Sequence, residues 1–116
     1  MIVAAAVVLG LAALGGVTLA VIRLSGTPRP PTWIALTHGA VAATGLGLLI
    51  LVVISGGVAW LFKVSLGVLV LAALGGTTLF LGFHVRNRAL PIPLVIGHGL
   101  IAVTGYVLLL FGLFRG

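Results

Sequence analysis

A chain of 116 residues that is 62% hydrophobic and 5% charged cannot cover a water-facing surface, since a soluble domain carries roughly a quarter charged residues. Its net charge of +6 comes from six scattered Lys and Arg with no Asp or Glu. That excludes carboxylate acid–base pairs, EF-hands, carboxylate-bridged metals and the buried acid that a small proton-coupled exporter needs. The cations sit at the ends of apolar runs, a membrane pattern rather than a nucleic-acid patch, and the absence of cysteine excludes disulfides, thiol chemistry and iron–sulfur ligation.

The first predicted span, about Ile2 to Leu24, lacks the basic n-region of a secretory signal and reads as a retained membrane helix. It carries Leu11-Ala12-Ala13-Leu14-Gly15-Gly16, then Thr18, and closes near Arg23. The segment Ser25-Gly26-Thr27-Pro28-Arg29-Pro30-Pro31 is a loop, and its last proline precedes a helix start, where a missing N–H costs least.

Helix 2 runs from about Thr32 to Ile54. His38 lies about six residues in, roughly 9 Å from that end at 1.5 Å per residue. Steps of four and three from His38 give Ala42, Gly45, Leu49, Val52 and Gly56, so small residues follow the histidine toward the membrane middle.

After Ser55-Gly56-Gly57, helix 3 runs from about Ala59 to His84. It holds Lys63 near its start and Leu71-Ala72-Ala73-Leu74-Gly75-Gly76 in its second half. Arg86-Asn87-Arg88-Ala89-Leu90-Pro91 is the third loop, and helix 4 follows from Pro91 to Phe114. There His98 is followed, in the same steps, by Ala102, Gly105, Leu109, Gly112 and Gly116. All four runs approach the roughly 20 residues that cross a bilayer. Loops this short make neighbours antiparallel and predict an all-α, integral membrane four-helix bundle.

The two halves align at an offset of sixty residues without a gap. Residues 1–56 and 61–116 share 19 of 56 positions, among them both LAALGG motifs, Pro31/Pro91, His38/His98, Thr44/Thr104 and Gly45/Gly105. The chain therefore reads as one transmembrane domain made of two tandem two-helix repeats. Each repeat crosses twice, so the copies share an orientation about an axis along the membrane normal. Arg23, Arg29, Arg86 and Arg88 lie on one side, and Lys63 and Arg115 on the other. That bias places the first and third loops in the cytoplasm and both termini outside, with a bacterial inner membrane as the expected setting.

The axis sets His38 and His98 at one depth on helices 2 and 4, which are diagonal in a simple bundle, so the two imidazoles should face each other. Gly15, Gly16, Gly75 and Gly76 on helices 1 and 3 fall at the same level, predicting a slot with two imidazoles and little else. Two neutral imidazoles can fill both axial positions of a haem iron, and bis-imidazole ligation suits electron transfer. The glycines would let porphyrin edges approach the backbone. Haem propionates would supply the anions that the arginines lack, with Arg23, on about the face of Gly16, best placed for them.

On these residues the chain resembles the membrane b-type cytochromes, in which a four-helix bundle holds haem between histidines on its second and fourth helices, with glycines on the first and third. The resemblance covers all four spans and rests on His38, His98 and the two Gly-Gly pairs. It implies one haem b with His38 and His98 as axial ligands. The two-haem members carry a second histidine pair near the other membrane face; this chain does not.

His84 breaks the repeat, since its counterpart is Leu24. It reads either as an interfacial cation at a helix end or as a functional group: a quinone hydrogen-bond partner, a proton relay or a second-cofactor ligand. Thr18, Thr78, Thr44 and Thr104 read as packing hydroxyls bonded to the carbonyl four residues earlier. Trp33, Trp60 and Tyr106 read as interfacial anchors. Partners expected are the lipid bilayer, other membrane subunits or further copies of the chain, and a quinone or other redox partner, but no nucleic acid. The rival readings are a cofactor-free anchor or assembly subunit, a (bacterio)chlorophyll-binding subunit, and a small channel, for which no polar seam is visible.

Overall fold

The computed structural model describes residues 1–115; Gly116, the last step of the small-residue face predicted for helix 4, lies outside the described residues. Among these residues the chain is helical, with no strand: α1 (Ile2–Leu24), α2 (Thr32–Ile54), α3 (Trp60–Leu79) and α4 (Ile92–Arg115). All four helices are long and apolar enough to cross a membrane. The long axis of 44 Å matches a bilayer of about 40–45 Å with its headgroups.

The breaks follow backbone chemistry. Gly26 (φ 110°), Gly56 (φ 82°) and Gly57 (φ 71°) take the left-handed conformations that turn the chain after α1 and α2. A side chain there would be strained. Asn87 (φ 55°) does the same in the third loop, as a short polar residue can. Pro31 and Pro91 stand immediately before α2 and α4, where no intrahelical N–H is lost.

Helix 3 departs from the single regular span expected to His84. Phe80–His84 form a π-helical turn, with Val85 N–H donating to the Phe80 carbonyl at 3.0 Å and Arg88 N–H to that of Phe83 at 2.9 Å. One wider turn re-aims the residues beyond it, a device frequent at functional sites. Here it stacks Phe80 on His84 with ring centres 5.2 Å apart and planes 15° from parallel.

Within each hairpin, α1 packs along α2 and α3 along α4. Across the bundle α1 meets α4 more extensively than α2 meets α3, leaving α2 and α4 diagonal. The core is lopsided. Ala5, Ala6, Leu9, Leu49, Phe62, Leu69 and Leu109 fill the half nearest the α2–α3 turn, and the half nearest the first and third loops is hollow. Outward, Val7, Leu14, Leu74, Leu100 and Phe111 are among many exposed large apolar side chains. Apolar surface of that extent needs a non-aqueous neighbour.

The close approaches are made by glycines. A Cβ on Gly45 would lie 2.7 Å from Leu9 Cγ and 3.1 Å from Leu9 N, and one on Gly105 2.7 Å from Leu69 Cγ and 3.3 Å from Leu69 N. Backbone is met as well as side chain, so these glycines set the spacing of the helices, as small residues do in membrane bundles. Gly105 also accepts a 2.7 Å hydrogen bond at its carbonyl from Ser65 Oγ, a hydroxyl with no exposure at all.

Candidate functional site

His38 projects from α2 and His98 from α4 into the hollow half. Their ring centres are 6.4 Å apart and their planes lie 83° from parallel. Each ring is anchored on its own hairpin: His38 Nδ1 meets the Ala12 carbonyl at 2.8 Å, and His98 Nδ1 meets the Ala72 carbonyl at 2.7 Å. A carbonyl only accepts, so each Nδ1 carries the proton and each Nε2 is left with its lone pair. That is the arrangement by which second-sphere carbonyls orient metal-binding histidines.

The LAALGG motif explains the anchor. Ala12 and Ala72 stand one turn before Gly16 and Gly76, and the missing side chains let each ring reach the carbonyl. A Cβ on Gly16 would sit 3.1 Å from His38 Cε1, and one on Gly76 3.0 Å from His98 Cε1. Gly15 and Gly75 stand further off, at 3.5 and 3.6 Å from the nearest Nδ1. All four glycines thus stand against the imidazoles.

Between and around the rings lies a cavity of about 910 Å³, near the top of the range of about 300–1,000 Å³ for ligand pockets. Its lining is apolar apart from His38, His84, His98, Thr77 and Tyr106, and it includes Gly16, Gly76, Ala42 and Ala102. Neither histidine Nε2 has a protein partner, and no buried side-chain nitrogen or oxygen among the described residues is sealed without one. Both lone pairs therefore open onto free space.

No group of three metal-binding side chains exists among the described residues, so His38 and His98 would be the two donors the chain could offer to a metal-bearing group. Both Nε2 lone pairs open onto this one cavity from rings whose centres are 6.4 Å apart, so His38 and His98 would be the pair to hold a shared group there.

Several sequence expectations are corrected. Gly45 and Gly105 do not widen the slot: they lie beyond the cavity lining, pressed against Leu9 and Leu69. Arg23 is outside the cavity lining, and its Nε donates to the Leu90 carbonyl at 2.8 Å, tying α1 to the third loop. His84 is no headgroup contact. It is 3% exposed, with Nε2 3.0 Å from Thr32 Oγ1 and its carbonyl accepting from Arg29 at 3.0 Å. Tyr106 is no interfacial anchor; it sits mid-helix and donates to the Ala6 carbonyl across the bundle at 2.8 Å. Thr18, Thr78, Thr44 and Thr104 do bond to the carbonyl four residues back, yet they are exposed on the outer surface rather than packed between helices.

Thr32, Phe80 and Tyr106 were not singled out as site residues. Each departs from the repeat, their counterparts being Ile92, Ala20 and Leu46, so the mismatches were the signal that could have found them. Compared with family models, with curated proteins and with solved structures, the chain matches none, so the reading of this site rests on its geometry.

Proposed function

We propose that this chain is a membrane b-type cytochrome, or the cytochrome subunit of a larger redox complex, carrying single electrons through one haem b. The observation behind this is a pair of imidazoles on diagonal helices, ring centres 6.4 Å apart beside one cavity, each with Nδ1–H fixed on a carbonyl and Nε2 free. When bound, the haem supplies one-electron chemistry, and two imidazole ligands leave no position open for small molecules. The chain's task is to hold both rings still and keep water out. Ala12 and Ala72 fix the rings, Gly16 and Gly76 give them room, and the apolar lining excludes solvent. Two histidine donors favour iron over the magnesium of a chlorophyll, which commonly takes one axial ligand.

The matched contacts at sixty-residue offset, Gly16–His38 with Gly76–His98 and Gly45–Leu9 with Gly105–Leu69, support reading the chain as two tandem repeats. Reduced-minus-oxidised absorption spectra of protein purified from haem-replete cells test the function. One low-spin haem per chain is expected; a colourless protein with its helices intact would overturn the reading.

From the arginine bias we infer that the first and third loops face the cytoplasm, and we propose a bacterial inner membrane as the setting. Because the chain has no cysteine, single-cysteine variants can report on this. With an impermeant maleimide on intact cells, Ser55→Cys should react and Ser25→Cys should react only after permeabilisation. The reverse pattern would invert the topology.

A further inference from the structure

The repeat predicts a chemically symmetric cavity, but its two flanks differ. Toward the first and third loops, α1 contributes Val17, Ala20 and Leu24 to the lining, while α3 contributes Thr77, and the π turn that follows it Phe80 and His84, at the equivalent positions. Thr32, which meets His84 from α2, has Ile92 as its counterpart, and Arg29, which holds the His84 carbonyl, has Ala89. Three departures from the repeat, Phe80, Thr32 and Arg29, thus converge on one histidine. A π-helical turn present in α3 but not in α1 brings it there.

His84 is held from three sides and unfinished on one. Phe80 stacks on the ring, Thr32 engages Nε2 and Arg29 fixes the backbone. Nδ1 has no protein partner among the described residues. The side chain is almost wholly buried, yet no sealed, unpaired nitrogen or oxygen remains. Nδ1 therefore meets open space, and the open space that His84 adjoins is the cavity. This position is eight residues beyond Gly76, roughly 12 Å along the helix from the level of His38 and His98, so it is a second polar point in the same apolar chamber.

We propose that the His84 end of the cavity binds an apolar molecule through a single carbonyl or hydroxyl oxygen. The Thr32 hydroxyl can donate to Nε2 or accept from it, so the ring can present either an N–H or a lone pair at Nδ1. The pair accommodates a ligand carbonyl in one tautomer and a ligand hydroxyl in the other, with no hydrogen bond lost. Phe80, Leu24, Pro30 and Leu90 supply the apolar surroundings. The inference does not depend on the haem reading, because it uses neither His38 nor His98.

Its test compares a decyl-substituted benzoquinone with decylbenzene, which keeps the ring and tail but lacks the oxygens. Binding is measured by quenching or calorimetry on the full chain in nanodiscs, with and without haem. Wild-type protein should prefer the quinone, and His84→Leu, which installs the residue found at Leu24, should reduce that preference about five- to tenfold, the value of one hydrogen bond. Taking the ratio between probes cancels their partitioning into lipid. Should His84→Leu fail to fold, Thr32→Val keeps the shape while removing the hydroxyl that orients the ring, and it should lower the preference severalfold. An unchanged preference in the folded variant overturns the proposal. Absence of a haem band from the wild-type protein, with the preference intact, would instead overturn the cytochrome reading alone.

Discussion

Alanine at either His38 or His98 is expected to abolish the low-spin haem spectrum completely, and the two variants should be indistinguishable. The expectation follows from one shared centre. If both Nε2 atoms serve the same group, removing one ring leaves it without that ligand, and the third histidine of the cavity, His84, lies roughly 12 Å away along the helix, too far to replace it. If the histidines were merely structural, each variant would lose only the hydrogen bond to Ala12 or Ala72, worth about 0.6 kcal/mol on average in a membrane bundle. Folding would then barely change and no pigment would be at stake. Three controls sharpen the result. His84→Ala should keep the spectrum, since His84 bonds Thr32 rather than the cavity centre. Added imidazole should restore it in His98→Gly, where the space of the ring is emptied. In the unaltered protein the ferric signal should be strongly anisotropic, because imidazole planes 83° apart act on different iron d orbitals and leave them nearly degenerate. Parallel planes would split those orbitals and give a rhombic signal instead. Retention of a bis-imidazole spectrum in either alanine variant would remove the histidine pair from the site.

The ends of the helices were legible because they are written in local chemistry. Proline before Thr32 and Ile92, and glycine at 26, 56 and 57, act on their own backbone, so the expected spans and the observed helices nearly coincide. The approach of His38 and His98 to within 6.4 Å was legible too, since helical phase, depth and diagonal placement follow from short loops and the sixty-residue offset. What the glycines touch was not. Gly16 and Gly45 look alike as small residues on a face, yet one seats an imidazole and the other seats Leu9; only the rotation of each helix about its axis decides between them. His84 was misplaced for a related reason. A π turn shifts everything beyond it by part of a turn, and nothing in Phe80-Leu81-Gly82-Phe83-His84 announces one. Tyr106 needed a partner on α1, a hundred residues away in sequence. In each case the missing information was the relation between helices, which the sequence carries only through the sum of many contacts.

That relation can be tested where the two halves have exchanged bulk. Phe62 and Gly112 occupy the positions that Ile2 and Val52 occupy sixty residues earlier, so one half has a large–small pair and the other two medium residues. Phe62 is buried, and a Cβ on Gly112 would lie 2.9 Å from its Cε1. Gly112→Val places branched carbons where the ring already is, and should destabilise the bundle by about 1–3 kcal/mol, the cost of overpacking. Phe62→Ile alone removes aromatic volume from beside Leu109 and the rest of the packed half, and should cost a comparable amount through the cavity it leaves. Made together, they rebuild in the second half the pair found in the first, and the double variant should recover most of the loss. The expected coupling of about 1–3 kcal/mol is that of residues in contact, and reversible unfolding in mixed micelles would measure it. Independent, additive losses would mean that the halves pack differently at this level, and the tandem-repeat reading would lose its structural support. Recovery would show that the closed end of the bundle is one packing solution used twice. The packed base it forms lies beneath the cavity that His38 and His98 line.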